Sequence, residues 1–208
     1  MYAIGHFALG YITGKGTSKL TKTKLNLPLL LVASIIPDVD LILQTFNDRL
    51  FMHRGLTHSL VTITLLMIPL FVIYRKGAAP YYVALLSHIL IGDLPTGGIE
   101  MLWPVSQRWF GSSTLPMASF PEVLAEIILF ATVTLFMFKA GDLRELMEPK
   151  KADLFLIIPF GAVTGPLLEI QRSDVSLPLL LVPFSLFWAI LFAYLFVRHL
   201  RSPRKTKV

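Results

Sequence analysis

Apolar residues run in long blocks along this chain, separated by short polar or basic stretches. A block of about 20 apolar residues can cross the hydrocarbon core of a bilayer as a helix. The blocks predict apolar helices over residues 26–46, 58–75, 80–93, 121–139, 154–171 and 177–198. A further apolar segment, residues 2–13, is too short to cross a bilayer. The pattern therefore predicts an all-α fold, a polytopic membrane bundle of about five to six apolar helices plus a short N-terminal helix.

Composition agrees with this pattern and limits the chemistry. Hydrophobic residues make up 54% of the chain and charged residues 15%, whereas soluble domains carry roughly 25% charged residues. The chain has no cysteine, which excludes disulfides, thiolate catalysis and cysteine-ligated zinc. A metal could bind only through histidine, aspartate, glutamate and water.

The polar stretches between the apolar blocks suggest how the chain is divided. Residues 14–24 are predicted to form a basic loop, residues 94–119 an irregular segment rich in Gly, Ser, Thr and Pro, and residues 141–153 a charged loop. We expect a helical core over residues 1–140 that carries the metal site. Residues 141–208 would form a C-terminal membrane hairpin with a basic cytoplasmic tail.

Basic residues are concentrated on one side of the predicted bundle. When the helices are threaded alternately, residues 14–25, 74–79 and 139–153 share one side with the C-terminal tail, and together they hold 15 of the 19 Lys and Arg residues. The positive-inside rule then predicts a multi-pass protein of the plasma or inner membrane with a cytoplasmic C-terminus. Since orientation accounts for the net charge of +6, we expect no nucleic-acid partner.

The candidate metal ligands are predicted to lie at the opposite, outer ends of the helices, with His6 among them if the short first segment runs inward. These residues are His6, Asp38, Asp40, His53, His58, His88 and Asp93. Charged and imidazole groups are costly beside hydrocarbon and are usually kept there for a function. Because threading by charge need not have placed every candidate on one face, the coincidence predicts a metal site at the outer helix ends.

The spacing within two pairs of candidate ligands does not fix whether both members can reach one ion. Asp38 and Asp40 would diverge by about 200° on a regular helix, but the preceding proline loosens the helix and could let both point inward. The alternative is that one of them caps a turn while the other is solvated. His88 and Asp93 lie about 140° apart on an ideal helix, so they can share an ion only if the helix ends or bulges around Gly92.

The sequence supports some histidines as metal ligands more strongly than others. His58, next to an apolar helix, is the better candidate, whereas His53 is either a ligand or a hydrogen-bonded structural residue. His6 has no partner nearby in the sequence, so ligand and core residue are equally open. Imidazole and carboxylate without sulfur suit zinc, with manganese or iron as alternatives in more oxygen-rich sites. We expect one or two ions.

These residues predict a hydrolase that uses a metal-activated water on a phosphoester, such as a lipid head group. Arg54 would hold the phosphate oxygens, and Asp93 or Glu126 would transfer protons. For Arg54 the alternative is an ordinary interfacial arginine. Membrane lipid is the expected partner. Two other functions stay open: a non-enzymatic scaffold with a structural metal site, and a transporter of metal or a small solute.

Four short motifs carry a family resemblance. They are His6-x-x-x-Gly10, Pro37-Asp38-x-Asp40, His53-Arg54-Gly55-x-Thr57-His58-Ser59, and Ser87-His88 followed by Asp93, Thr96 and Gly98. Together they resemble the membrane-bound metal-dependent hydrolases, also described as YdjM-like, LexA-binding inner-membrane-associated hydrolases. The resemblance covers about residues 1–105, and the histidine-containing heptapeptide is its most specific part.

This family is distantly similar to zinc-dependent phospholipase C and to single-strand-specific zinc nucleases, which are all-α enzymes. The resemblance implies that the metal ligands are His6, Asp38 or Asp40, His58, His88 and Asp93. Two departures limit it. Asp93 lies one residue later than the usual His-x-x-x-Asp spacing, and no histidine occurs between His88 and His199. The second departure argues against a three-zinc cluster.

Overall fold

The computed structural model describes residues 1–43, 46–47, 50–168 and 177–201. Over these residues the chain forms nine α-helices and no β-strand: α1 (Ala3–Thr21), α2 (Leu27–Ile35), α3 (Asp40–Leu43), α4 (Leu60–Tyr74), α5 (Ala79–Ser87), α6 (Phe120–Ala140), α7 (Asp142–Leu146), α8 (Ile157–Leu168) and α9 (Val182–Arg201). The predicted all-α membrane bundle is confirmed.

Helix α1 lies in the middle of the bundle and packs against α2, α5 and α6. It continues through most of the segment predicted as a basic loop, residues 14–24, so that part of the prediction was wrong. Tertiary packing explains the difference, because Gly14 lies against Leu30 and Ser18 is buried. Gly10 allows the closest approach, since a Cβ there would overlap the Cβ of Ser34 on α2.

The helix predicted over residues 26–46 is interrupted near its acidic pair. Helix α2 ends at Ile35, a 3₁₀ turn follows over Ile36–Val39, and α3 begins at Asp40. Pro37 lies in this turn and, having no N–H, cannot continue the α-helical ladder. The irregular turn suggested by the sequence is therefore present. Residues 44 and 45 of the predicted helix lie outside the described residues.

The next two helices, α4 and α5, have the remaining predicted ligands near their ends. The hydroxyl of Ser59 accepts a hydrogen bond from the N–H of Thr62 and caps α4. Helix α5 ends at Ser87 and passes directly into a π-helical turn, His88–Asp93. This turn is the bulge that the separation of His88 and Asp93 required.

Hydrogen bonds hold the irregular segment 94–119 against the start of α4. Ile99 and Phe110 exchange backbone hydrogen bonds of 2.8 and 2.9 Å. The N–H of Leu60 donates to the carbonyl of Met101 over 2.9 Å, and the Ser59 hydroxyl donates to the carbonyl of Trp103 over 2.6 Å. These bonds fix the histidine-containing heptapeptide, which ends at Ser59, against the segment.

The charged stretch 141–153 is also more ordered than a loop. It contains α7 and the start of a 3₁₀ helix, Lys151–Leu156. The buried carboxylate of Asp142 accepts a hydrogen bond from the Tyr11 hydroxyl and pairs with the Lys15 ammonium at 2.7 Å. Buried apolar residues form a cluster that extends from Tyr2 to Leu195. The predicted division at residue 140 stays a prediction.

Four segments among the described residues are long and apolar enough to cross a membrane. They are Leu60–Asp93, Phe120–Ala140, Lys151–Leu168 and Leu179–Arg201. Many large apolar side chains on these helices point outward, including Leu66, Phe138 and Ile190 at 67%, 73% and 68% exposure. Such a surface is unfavourable in water but suits hydrocarbon. Residues 169–176 and 202–208 lie outside the described residues, so the end of the predicted helix 154–171 and the end of the C-terminal tail are not described.

Candidate metal centre

Four of the predicted ligands converge in the interior of the bundle. Asp38 comes from the 3₁₀ turn after α2, His58 from a 3₁₀ turn before α4, and His88 and Asp93 from the two ends of the π-helical turn. Each offers one ligand atom, and these four atoms all lie within 4.8 Å of one another. Segments far apart in the sequence thus meet at one point.

The spacing of the four atoms fits a tetrahedral ion. The two Nε2 atoms of His58 and His88 lie 3.3 Å apart. Asp93 Oδ2 lies 3.2 and 3.1 Å from them, and Asp38 Oδ1 lies 3.4 Å from each. Four ligands bound tetrahedrally at about 2.0–2.1 Å are about 3.3 Å apart. The donor set and the spacing therefore suit zinc.

Each of the two histidines is held by its other ring nitrogen. His88 Nδ1 lies 2.7 Å from the carbonyl oxygen of Ser34 and, facing a carbonyl, must donate. His58 Nδ1 lies 3.1 Å from Asp40 Oδ2. With Nδ1 protonated in both rings, the Nε2 lone pairs face the cluster. Metal-bound histidines are commonly oriented in this way.

The Asp40 carboxylate organises the histidine-containing heptapeptide. Its Oδ1 lies 2.9 Å from His53 Nδ1. Its Oδ2 accepts hydrogen bonds from the Thr57 hydroxyl at 2.7 Å and from the N–H of Arg54 at 3.2 Å. Burial alone would raise the pKa of Asp40, but hydrogen bonds from His53 and His58 and their charge lower it to about 2. The Asp40 carboxylate is therefore negatively charged, and its hydrogen bonds hold the heptapeptide in place.

Asp40, His53 and His58 form a second group whose ligand atoms also lie within 4.8 Å of one another. This group lies on the Nδ1 side of His58, whereas the first group gathers on the Nε2 side. The two acidic residues of the Pro-Asp-x-Asp motif therefore contact opposite edges of the same imidazole. Whether His53 and Asp40 also bind an ion stays a prediction.

The carboxylate of Asp93 is held from its other oxygen. Arg54 Nη2 donates to Asp93 Oδ1 at 3.2 Å and to the Thr96 hydroxyl at 3.1 Å. Thr96 belonged to the recognised motifs, but its bond to Arg54 could not be read from spacing. The arrangement leaves Asp93 Oδ2 facing His58 and His88.

His6 lies beside the cluster rather than within either group. Its ring stacks on that of His88 with centroids 3.6 Å apart and planes 13° apart. Its Nε2 is 3.7 Å from Asp93 Oδ1. Neither ring nitrogen has a hydrogen-bond partner among the described residues, which is costly for a buried imidazole. Its role as a ligand stays a prediction.

The two glutamates of α6 lie near the start of α1. The Glu126 carboxylate accepts hydrogen bonds from the N–H groups of Tyr2 and Gly5, so it satisfies amides at the start of α1. Glu122 accepts a hydrogen bond from the N–H of Ala118 at 3.2 Å. Sequence reasoning missed the contact between Glu126 and α1, because no local pattern links residues more than a hundred positions apart.

Exposure and charge distinguish Asp38 and His58 within the cluster. The side chains of His58, His88 and Asp93 are 0%, 0% and 3% exposed, whereas that of Asp38 is 14% exposed. Burial lowers the pKa of His58, but hydrogen bonds with Asp38, Asp40 and Asp93 outweigh it and raise the pKa well above the ordinary value. The carboxylates thus favour a positive charge at the centre of the cluster. A bound metal ion would take the place of the proton on His58 Nε2.

We predict that Asp40→Asn weakens metal binding without abolishing it. The amide keeps the shape of the carboxylate but loses the charge that supports the Nδ1 proton of His58. Outer partners of this kind are typically worth 10–100-fold in metal affinity. Competition with a fluorescent zinc chelator would measure the change. If Asp40 were itself an essential ligand, the variant would purify without metal.

Comparison with known proteins places these observations in a family. Residues 1–148 match the family described as YdjM inner membrane protein. This region contains α1 to α7 and both groups of candidate ligands. Comparisons with curated proteins and with solved structures gave no match. Since the family match covers more than half of the chain, this membrane protein belongs to the YdjM inner membrane protein family.

Proposed function

We propose that this protein is a membrane-embedded, metal-dependent hydrolase that cleaves a phosphoester, such as that of a lipid head group. The observation that supports the proposal is the four-atom cluster with tetrahedral spacing, built inside a membrane protein. Polar groups in such surroundings are expensive and are usually retained for function. The accessible carboxylate of Asp38 gives the cluster a side from which a substrate could approach.

Asp38, His58, His88 and Asp93 would hold one ion, which we propose to be zinc, with manganese or iron as alternatives. When bound, zinc supplies Lewis acidity and lowers the pKa of water to about 7. The protein's part is to orient the ligands. Asp40 fixes the ring of His58, and the Ser34 carbonyl fixes that of His88.

The geometry refines the roles expected of three polar residues. Arg54 positions Asp93 through its Nη2, and its binding of phosphate oxygens stays a prediction. The oxygens of Asp93 face the cluster and Arg54. The carboxylate oxygens of Glu126 accept hydrogen bonds from backbone N–H groups of α1. We therefore move the proton-transfer role to His53, whose side chain is 35% exposed and whose Nδ1 faces Asp40.

We further propose that the protein crosses the membrane several times with its C-terminus in the cytoplasm. The supporting observation is the concentration of Lys and Arg on one side of the threaded chain. The metal site would then lie toward the outer face, and membrane lipid would be the partner and source of substrate. A nucleic-acid substrate is not part of the proposal.

A structural metal site is the second candidate function, and one observation favours it. All four corners of the tetrahedron are occupied by protein atoms, as in structural zinc sites, whereas catalytic sites keep a position open. A structural ion would join α2, α4 and α5 at the point where their ends meet. The two functions differ in what metal removal does.

We predict that chelation abolishes turnover before it unfolds the protein. The purified protein should carry stoichiometric zinc and release phosphorylated head group from vesicles of phosphatidylethanolamine and phosphatidylglycerol. A chelator should abolish this release while circular dichroism still shows the full helical content, and added zinc should restore it. Loss of helical content together with the metal would favour the structural site, and protein without any transition metal would contradict both functions.

A further inference from the structure

An apolar groove of about 200 Å³ lies between the α2–α3 region and α8. Its walls are mainly aliphatic or small residues, among them Leu41, Ile42, Ile158, Gly161 and Gly165. Gly161 and Gly165 are one helical turn apart on α8, and a Cβ at either would meet no atom of the described residues within 4 Å outside the adjacent backbone of its own helix. The two glycines therefore leave open space along this wall.

The groove reaches the metal centre through Asp38. Among the described residues, Asp38 is the one charged residue in its lining, and its Oδ1 lies 3.4 Å from the Nε2 atoms of His58 and His88. It is also the most exposed member of the four-residue cluster. A molecule in the groove would thus have its polar end beside the cluster.

The surroundings of the groove identify the kind of molecule that fits. Helix α8 belongs to a segment apolar enough to cross a membrane, and Leu41 and Ile42 at the rim are 43% and 55% exposed. The rim therefore suits hydrocarbon, and a ligand could enter from the side of the bilayer. For comparison, an aliphatic cavity of about 150 Å³ holds a benzene molecule. The groove can accordingly take part of an acyl chain.

A helix from a second copy of the chain is the main competing occupant, since Gly-x-x-x-Gly is a common contact motif between membrane helices. Two features disfavour it. A helix with side chains is about 10–12 Å across and rises about 5.4 Å per turn, so one turn occupies roughly 400–600 Å³, more than the groove of about 200 Å³ can hold. The opposite wall is also already supplied by α2 and α3 of the same chain. A docked helix would also cover the carboxylate of Asp38.

We propose that this groove binds the acyl chain of a membrane phospholipid and places the polar part of the lipid next to Asp38. The inference rests on the proposed function for the idea that this lipid is the substrate, but the binding itself does not require turnover. Hydrocarbon contacts in the groove would supply the affinity, and the metal centre would meet the phosphoester.

Photo-crosslinking tests the groove directly. The full-length protein is reconstituted in vesicles that contain phosphatidylglycerol with a diazirine in one acyl chain, irradiated, and digested for mass spectrometry. The label should concentrate on the groove walls in α3 and α8. Gly165→Leu, which fills the groove, should reduce this labelling by roughly tenfold, the loss expected when about two methylenes no longer fit. Gly16→Leu is the matched control, because this helical glycine also has no atom within 4 Å of an added Cβ.

The outcomes separate this inference from the proposed function. Labelling that concentrates in the groove but occurs without hydrolysis supports the groove and contradicts the hydrolase. Hydrolysis with labelling spread evenly over the outer helices, and unchanged by Gly165→Leu, overturns the groove. Cross-linked dimers joined through α8 would also overturn it in favour of a second copy. If Gly165→Leu fails to fold, the labelling map of the unaltered protein decides.

Discussion

His58→Ala should leave the purified protein without stoichiometric metal. His58 is the residue that both groups of candidate ligands share, with Asp38 and Asp93 near its Nε2 and Asp40 near its Nδ1. Removing the ring deletes one ligand and also leaves the surrounding carboxylates without their central partner. We expect metal affinity to fall by more than about 100-fold, beyond the 10–100-fold typical of outer partners. Elemental analysis of protein purified in parallel measures the result.

Two control variants make this test specific. His53→Ala removes a partly exposed imidazole that contacts Asp40 but lies outside the four-residue cluster, so it should keep most of the metal and lose turnover. His199→Ala changes a residue in the last turn of α9 and should change neither. Full metal content in His58→Ala would show that the cluster is not the metal centre.

Gly92→Ala should destabilise the protein and disturb the candidate metal centre together. A Cβ at Gly92 would lie 2.7 Å from His6 Nδ1 and still closer to its Cε1. The ring of His6 cannot easily retreat, because it stacks on His88 at 3.6 Å. Overpacking of this kind costs about 1–3 kcal/mol, and the strain falls on the π-helical turn that joins His88 to Asp93. Thermal unfolding in detergent and metal content measure both effects.

The double variant His6→Ala with Gly92→Ala separates packing from ligation at this position. If the cost of Gly92→Ala is the clash with the His6 ring, the double variant should recover stability relative to Gly92→Ala, as a non-additive pair. Gly16→Ala is the control, since an added Cβ there meets nothing within 4 Å and alanine is the better helix former by about 1 kcal/mol. Full metal content in His6→Ala would remove His6 from the ligand list, and equal losses in single and double variants would contradict the clash.

Most of the candidate ligands could be predicted from the sequence, because they are recognisable by residue type and by their position at the ends of apolar helices. Histidine and aspartate beside apolar blocks stand out in a sequence with few charges, and the distribution of Lys and Arg predicts that they share one side of the membrane. The structure brings six of the seven predicted ligands into two adjoining groups. The seventh, His6, lies against His88.

The amino-acid sequence by itself determined the membrane class, the all-α architecture and the residues able to bind a metal, because composition and apolar block length are local properties. The tertiary structure decided what each residue contacts. The 3₁₀ turn after α2 places Asp38 and Asp40 on opposite edges of His58, and the π-helical turn brings Asp93 Oδ2 within 3.1 Å of His88 Nε2. Both turns depart from the regular α-helical period. The sequence indicated where they could occur, at Pro37 and around Gly92, but the contacts that they make join segments distant in the chain, which no local pattern records.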